Sequence, residues 1–333
     1  MTMRVFITRP LPGDAVAMLE ATLAARPEAR SNWSIGSNPE DRALTPEALR
    51  RAVAGMHGVL STPRDRIDAA VLDAAGPQLR IVSNYATGVD NIDLDRCRQR
   101  GILVGHTPDA VTEPTADIAW LLLLGAARRA SEGDALVRGG NWTGVSPHEL
   151  LGRRLVGRTL LVVGAGRIGA AVARRAVGWR MRILYAARRA HPEFEAPPLA
   201  ATRVELDDGL RQADAVTLHT PLTAETHHLI DARRLALMKP SAVLVNTARG
   251  PIVDEAALVQ ALRSHQILAA GLDVFEEEPR VHPGLRELPN VFLLPHLGSA
   301  TVEDRTWMTE MAVENLVAGL FGEPVPNEAT AGR

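Results

Sequence analysis

Residues 159–169 read Thr-Leu-Leu-Val-Val-Gly-Ala-Gly-Arg-Ile-Gly. A short apolar run, Thr159 to Val163, ends in Gly164, Gly166 and Gly169 at the G-x-G-x-x-G spacing. An amphipathic helical pattern follows from Ala170 to Gly178, then a second strand-like run from Met181 to Ala186. Strand, glycine turn, helix and strand in that order predict a dinucleotide-binding βαβ unit. The glycines allow a tight turn, close approach of backbone to a pyrophosphate, and close helix–strand packing. The helix N-terminus presents free N–H groups and the positive end of its dipole to the phosphates. Gly164, Gly166, Arg167, Ile168 and Gly169 are therefore the expected pyrophosphate cradle.

The ribose end of such a site usually carries an Asp or Glu about 20 residues past the glycines. Here the second strand runs into Ala187, 21 positions after Gly166 (187 − 166), and then Arg188 and Arg189. A carboxylate would repel a 2′-phosphate, whereas arginine binds one with forked, charge-assisted hydrogen bonds. The sequence thus predicts NADP as the preferred cofactor, with NAD still possible. The simpler alternative is that both arginines belong to a solvated loop.

Composition narrows the function classes. The chain has 333 residues, 46% of them hydrophobic and 23% charged, enough for two domains with full cores. A formal net charge of −2 gives no basic field for nucleic acid. Cys97 is the single cysteine, which rules out an internal disulfide framework and fits a cytoplasmic protein. The apolar part of the opening Met-Thr-Met-Arg-Val-Phe-Ile-Thr is shorter than a secretory signal, and Ile118 to Ala127 is far short of a membrane span. Lys239, the only lysine, precedes Pro240 at an expected helix end and suits imine chemistry poorly. The ten histidines are scattered, with no HxxxH or CxxC spacing, so no metal is expected.

The first third alternates strands (Arg4–Thr8, Val59–Ser61, Leu79–Ser83, Ile102–Val104) with helices after Gly13, from Ile67 and from Leu94. That alternation predicts a parallel sheet with helices on both faces. One long helix is expected from Thr115 to about Arg138, stopped by Gly139-Gly140-Asn141. The second α/β unit continues from the glycine turn through strands Ala215–Leu218, Ala242–Asn246, Leu268–Leu272 and Val291–Leu294. A last amphipathic helix spans about Val302 to Leu320, and Arg188–Pro198 reads as a polar loop. Two doubly wound parallel-sheet domains with a cleft between them are the expected fold, and ligands of such sheets bind at the carboxyl ends of the strands.

Arg249, Glu278 and His296 each follow an expected strand of the cofactor unit. Together they suit reduction of a 2-oxo acid. The substrate carboxylate needs a planar, permanently charged partner, which arginine supplies. The developing alkoxide needs a proton, and histidine titrates near neutral pH. A carboxylate beside the imidazole favours its cationic form and orients the ring. Taken singly, each of the three also suits an ordinary surface or core position; their shared placement after strands is what points to chemistry.

Over nearly its whole length the chain resembles the D-isomer-specific 2-hydroxyacid dehydrogenases, and most closely their glyoxylate/hydroxypyruvate reductase branch. The resemblance rests on SNYATGVDNID (83–93), Thr112–Asp117, GAGRIG, HTPLTAET (219–226), NTARGPIVDEAAL, AAGLDVFEEEP and LPHLGSAT. The steps of 29 residues from Arg249 to Glu278 (278 − 249) and 18 from Glu278 to His296 (296 − 278) look like the family's catalytic spacing. The resemblance implies that Arg249 binds and polarises the substrate, that His296 is the general acid/base, and that Glu278 pairs with His296. It assigns the substrate carboxylate to the loop Thr87-Gly88-Val89. Cofactor contacts are implied for Thr115, His219, Pro221, Thr226, Thr247, Ala248, Asp273, His296 and Gly298. It implies a flavodoxin-like substrate domain (residues 1–103 and 296–333), a Rossmann cofactor domain (residues 104–295), and a homodimer built on the cofactor domains and the helix from Thr115.

Three departures concern specificity. The segment Trp142–Arg153 is shorter than in the hydroxypyruvate reductases, Pro63 replaces a larger apolar residue, and Arg64 beside it favours an extra anionic group on the substrate. Within the same scaffold, 2-ketogluconate, phosphoglycerate and phosphite remain alternative substrates. A nucleotide-sensing corepressor is the alternative outside enzymology.

Overall fold

The computed structural model describes residues 2–26 and 33–329. The chain divides into two compact units, Met1–Val111 with Ser299–Arg333, and Thr112–Gly298. The expected boundaries, 103/104 and 295/296, fall short of both changeovers. Beyond Gly105 the chain stays with the first unit, because His106 N–H donates to Asn327 O, Thr107 N–H to Ala86 O, and Asn315 Nδ2 to His106 O. His296 to Gly298 stay with the second unit through hydrogen bonds to Asp273.

In the first unit the described strands are β1 (Met3–Ile7), β2 (Trp33–Ser37), β3 (Gly58–Ser61), β4 (Ile81–Asn84) and β5 (Leu103–Gly105). They pair in parallel in the order β2-β1-β3-β4-β5, the flavodoxin-like arrangement. Helix starts are written in the sequence. Asp14, Thr45, Asp68, Asp93 and Thr301 each accept the N–H three residues on, opening the helices Ala15–Ala24, Pro46–Val53, Ala69–Ala75, Leu94–Gln99 and Val302–Phe321. The last helix returns to this unit and lies on β3 and β4. A Cβ at Gly58 would touch Leu316 at 2.9 Å, and Ser83 Oγ donates to Ala312 O at 2.7 Å. Leu316 against Gly58 and Ile81 against Gly319 are fully buried there, each contributing roughly 1.5–3 kcal/mol by burial.

The second unit holds β6 (Thr159–Val163), β7 (Arg182–Ala186), β8 (Thr202–Arg203), β9 (Ala215–Leu218), β10 (Val243–Asn246), β11 (Ala269–Leu272) and β12 (Val291–Leu293) among the described residues. All pair in parallel in the order β12-β11-β10-β9-β6-β7-β8. This is the Rossmann order extended by one strand, and its direction reverses between β6 and β9. Both faces are covered. Leu160 and Val162 of β6 face a core with Trp120, Leu122 and Tyr185, while Leu161 and Val163 face one with Leu218, Leu244 and Leu258.

The long helix expected from Thr115 is broken in two, Thr112–Ala127 and Ala130–Arg138. Arg129 between them is left-handed, at φ 56° and ψ 40°. The carbonyl of Ala127, which a continuous helix would use internally, instead accepts the Arg153 N–H at 2.7 Å. Gly152 packs flat against that same carbonyl. The loop expected at Arg188–Pro198 contains a one-turn helix, Pro192–Glu195.

Candidate active site

Three neighbouring strands deliver the expected trio. Asn246 of β10 lies opposite Leu272 of β11, and Leu272 opposite Leu293 of β12. Arg249, Glu278 and His296 follow the carboxyl ends of these strands. Glu278 and His296 meet directly, with Nδ1 of His296 at 3.1 and 2.9 Å from Oε1 and Oε2. Glu278 is fixed from its own loop, where Oε1 accepts the Phe275 N–H at 3.1 Å.

The backbone of His296 is left-handed, at φ 56°, a conformation that a side-chain-bearing residue holds only where its surroundings enforce it. Asp273 enforces it. Its carbonyl accepts the His296 N–H at 2.9 Å, and its carboxylate accepts the Leu297 and Gly298 N–H groups at 2.7 and 2.8 Å. That carboxyl is 1% exposed, and burial pushes its pKa upward. Thr115, also buried, donates its hydroxyl to Gly298 O at 3.0 Å. Thr115, Asp273 and Gly298 therefore form the clamp that holds His296.

Arg249 has extended backbone and precedes a single 3-10 turn, Gly250–Ile252. Asn246 at the end of β10 shapes this corner, since Nδ2 donates to Arg249 O at 2.8 Å and Oδ1 accepts the Ala248 N–H at 3.0 Å. Gly250 lies against the backbone of Phe275 and Glu276, so closely that a Cβ would overlap both. The turns carrying Arg249 and Glu278 thus touch through their backbones.

The glycine turn fits a dinucleotide. Gly164 has φ 102°, and a Cβ there would come within 2.6 Å of His219 C and O and 2.9 Å of Thr220 N. The turns after β6 and β9 are therefore in contact where the sheet order reverses. Gly169 packs on the Gly164 carbonyl, whereas the space beside Gly166 is open. The helix Arg167–Gly178 starts at Gly166 with no side chain capping its N–H groups. Just past β9 and β10, His219 Nδ1, Thr220 Oγ1 and Thr247 Oγ1 are buried without a hydrogen-bond partner. Buried polar atoms ordinarily find partners, so orphans at the carboxyl ends of these central strands suit a polar ligand. Burial of the His219 ring, whose Nε2 lies 2.8 Å from Thr217 Oγ1, pushes its pKa down to about 3, so the ring is neutral at working pH. Thr226 shapes the following turn, accepting the Thr223 N–H at 2.7 Å and donating to Pro221 O at 2.6 Å. Arg188 and Arg189 are exposed just past β7. Glu225 has its carboxyl held down first by the Thr223 hydroxyl, then by its own N–H and by the charge of Arg188.

Thr87-Gly88-Val89 lies in the first unit, past β4. Thr87 Oγ1 donates to Thr107 O at 3.0 Å, and Asn84 Nδ2 donates to Gly88 O at 3.0 Å. Asn91 Nδ2 donates to Asp65 O at 2.9 Å, and buried Asp65 accepts the Thr62 N–H at 2.8 Å, which ties the Pro63–Arg64 turn to this loop. Sequence reasoning missed Asn84, Asn91 and Asp65, although two of them stand inside the motif at 83–93. Among the described residues, no three His, Cys, Asp or Glu are placed to hold a metal ion, and no helix is long and apolar enough to cross a membrane.

Residues 120–298 match the family model for the NAD binding domain of D-isomer specific 2-hydroxyacid dehydrogenases. The glyoxylate reductase of Thermococcus onnurineus is 46% identical over 327 residues, covering 97% of this chain and 94% of that one. The crystal structure of the TT0316 protein from Thermus thermophilus superposes with a TM-score of 0.87 at 45% identity, over 98% of this chain and 100% of that chain. That of the NADPH-dependent glyoxylate/hydroxypyruvate reductase from Sinorhizobium meliloti, in complex with citrate, gives 0.81 at 32% identity over 99% of each chain. With the hydrogen-bonded acid–imidazole pair and the glycine turn on one Rossmann sheet, these likenesses show that the chain belongs to the D-isomer specific 2-hydroxyacid dehydrogenases, NAD(P)-dependent oxidoreductases, in their glyoxylate reductase branch.

Proposed function

We propose that the chain reduces glyoxylate, or hydroxypyruvate, to the corresponding 2-hydroxy acid, the D form where that product is chiral, with NADPH preferred as donor. The observation that carries this reading is the Glu278–His296 pair, held at the carboxyl ends of adjacent strands in the cofactor sheet. When bound, the reduced nicotinamide supplies the hydride. The residues of the chain do the rest. Arg249 binds the substrate carboxylate and polarises the carbonyl with its planar fork. Glu278 occupies Nδ1 of His296, which leaves Nε2 to give a proton to the carbonyl oxygen. Thr87-Gly88-Val89 offers the substrate carboxylate a loop tied down by Asn84.

NADPH preference is supported by Ala187 where an acid would grip the ribose, by exposed Arg188 and Arg189 after it, and by the NADPH dependence of the S. meliloti relative. Pyrophosphate contacts are assigned to Gly164, Gly166, Arg167, Ile168 and Gly169, with Thr247, Ala248, His219, Pro221 and Thr226 along the remaining edge. Initial rates with glyoxylate, hydroxypyruvate, pyruvate and 2-ketogluconate, each with NADPH and NADH, test the reading. Turnover of the first two with a clear NADPH advantage is expected; no turnover, or an equal or better kcat/KM with NADH, overturns it.

The chain is further proposed to work in the cytoplasm as a homodimer, without nucleic-acid or membrane partners. Leu121, Val137, Trp142, Val145 and Leu151 are 47–93% exposed on the helices Thr112–Ala127 and Ala130–Arg138 and on the segment after them. Apolar exposure of this kind suits a subunit interface. Sedimentation analysis showing a monomer at micromolar concentration would remove the dimer.

A further inference from the structure

Past β7 the chain turns through Ala187, Arg188 and Arg189 before the one-turn helix Pro192–Glu195. Two devices fix this turn. At its start, the Arg203 guanidinium reaches across from β8. Nε and Nη2 donate to Ala187 O at 3.3 and 3.1 Å, and Nη2 also donates to Arg188 O at 3.0 Å. β8 is only two residues long, and its register, with Arg203 opposite Tyr185, brings this side chain to the end of β7. At the far end, the Tyr185 hydroxyl accepts the His191 N–H at 3.0 Å and donates to Glu195 Oε1 at 2.6 Å. Tyr185 is fully buried and packs on Phe194, so this anchor is rigid.

Stability does not call for the Arg203 contact. Water satisfies an exposed carbonyl freely, and ordering an exposed arginine sacrifices rotamer freedom for little return. Its effect is local. It fixes the Ala187–Arg188 backbone from which the Arg188 side chain projects, and it covers two carbonyl oxygens whose partial negative charge would oppose a phosphate. The Ala187 methyl offers the ribose 2′-hydroxyl no hydrogen bond, so discrimination between the two cofactors falls to the cationic groups of this turn.

We propose that Arg203 is a positioning residue for selection of the cofactor 2′-phosphate: it pre-organises the Arg188 turn and screens its carbonyls, lowering the ordering cost of binding NADPH. The proposal rests on the NADPH reading above.

Dissociation constants of NADPH and NADH, followed by reduced-nicotinamide fluorescence, test it in the full chain and in Arg203→Ala, Arg188→Ala and the double variant. Arg203→Ala is expected to weaken NADPH about tenfold, as for loss of a charge-assisted contact, and to change NADH less than about twofold, with kcat at saturating NADPH retained. With Arg188 already removed, the same change should matter less than about twofold, because the two residues act as one unit. Equal weakening of both cofactors, or an undiminished loss without Arg188, overturns the proposal. Arg203→Gln, which keeps a donor and removes the charge, is measured alongside and carries the test if the alanine variant does not fold. A wild type indifferent between the cofactors, with Arg188→Ala silent, removes the NADPH reading itself. A wild type that prefers NADPH while Arg203→Ala is silent removes only the role of Arg203.

Discussion

Both carboxylate oxygens of Glu278 lie within hydrogen-bond distance of Nδ1 of His296, at 3.1 and 2.9 Å, while the backbone of His296 is held left-handed by Asp273. One ring nitrogen is thereby committed to the acid, which in the proposed mechanism leaves the other for proton transfer. His296→Gln keeps a polar side chain but cannot donate as an imidazolium does. It should lower kcat by about 10²–10⁴, the usual worth of a positioned general acid. NADPH affinity, read by fluorescence titration, should stay near the wild-type value. A near-normal kcat would remove His296 from its role. Glu278→Gln should cut kcat less severely, because the amide oxygen can still accept from Nδ1 of His296 while the carboxylate's charge is lost.

In the role proposed for it, Arg249 depends on fork geometry as well as charge. Arg249→Lys preserves the cation but loses the second parallel donor to a carboxylate. A hydrogen bond to a charged group is worth about 1.5–3 kcal/mol, so kcat/KM for glyoxylate should fall roughly 10- to 150-fold. Steady-state kinetics that show an unchanged kcat/KM would mean that the carboxylate is bound elsewhere.

His57 predicts an acid-sensitive first unit. Its side chain is 4% exposed, Nδ1 accepts the Arg4 N–H at 3.2 Å, and Nε2 has no partner. Burial first, then the charges of Arg80 and Arg4, hold its pKa below the ordinary 6.5. The sign follows from proton counting. Between the folded value and about 6.5 the unfolded chain binds a proton that the folded chain refuses. Stability from this residue is therefore complete above about pH 6.5 and is lost as pH falls toward the folded value. Thermal melts at about pH 8 and about pH 5.5 should show a smaller acid loss in His57→Gln than in wild type. Equal losses would mean that other groups govern the acid limb.

Much of this was legible in the chain. Period and punctuation placed the glycine turn, the strands Ala215–Leu218 and Ala242–Asn246 (the second begins one residue later, at Val243), and the last helix, because buried parallel strands read as plain apolar runs. β2 was not foreseen, since Trp-Ser-Ile-Gly-Ser lacks a run of β-branched residues, and the two-residue β8 is too short to carry a period. The break at Arg129 was hidden for another reason. Nothing local stops Thr112–Arg138 as a helix; the Ala127 carbonyl is taken by Arg153, a tertiary contact that no window on the helix contains. The pairing of Glu278 with His296 was readable from residue type and position after strands. The residues that hold the trio, Asp273 and Asn246, act through backbone groups, which the sequence does not display as a pattern.

Gly250 offers the sharpest steric test of the site. It follows Arg249 and lies against the Phe275 carbonyl and the Glu276 nitrogen, so that an added Cβ overlaps main chain and not the end of a side chain. Rotamer change cannot relieve such a clash; one of the two turns must move. Gly250→Ala should cost about 1–3 kcal/mol of stability, the range for overpacking a closed site. It should also lower kcat/KM at least about tenfold, because a shift of the Arg249 turn misplaces the guanidinium relative to the substrate. Gly178 is the control. It ends the helix Arg167–Gly178, and a Cβ there meets nothing within 4 Å. Gly178→Ala should leave kcat/KM alone and add up to about 1 kcal/mol of stability through helix propensity. If chemical denaturation and kinetics show the two variants behaving alike, the contact between the Arg249 and Glu278 turns is not what aligns the site.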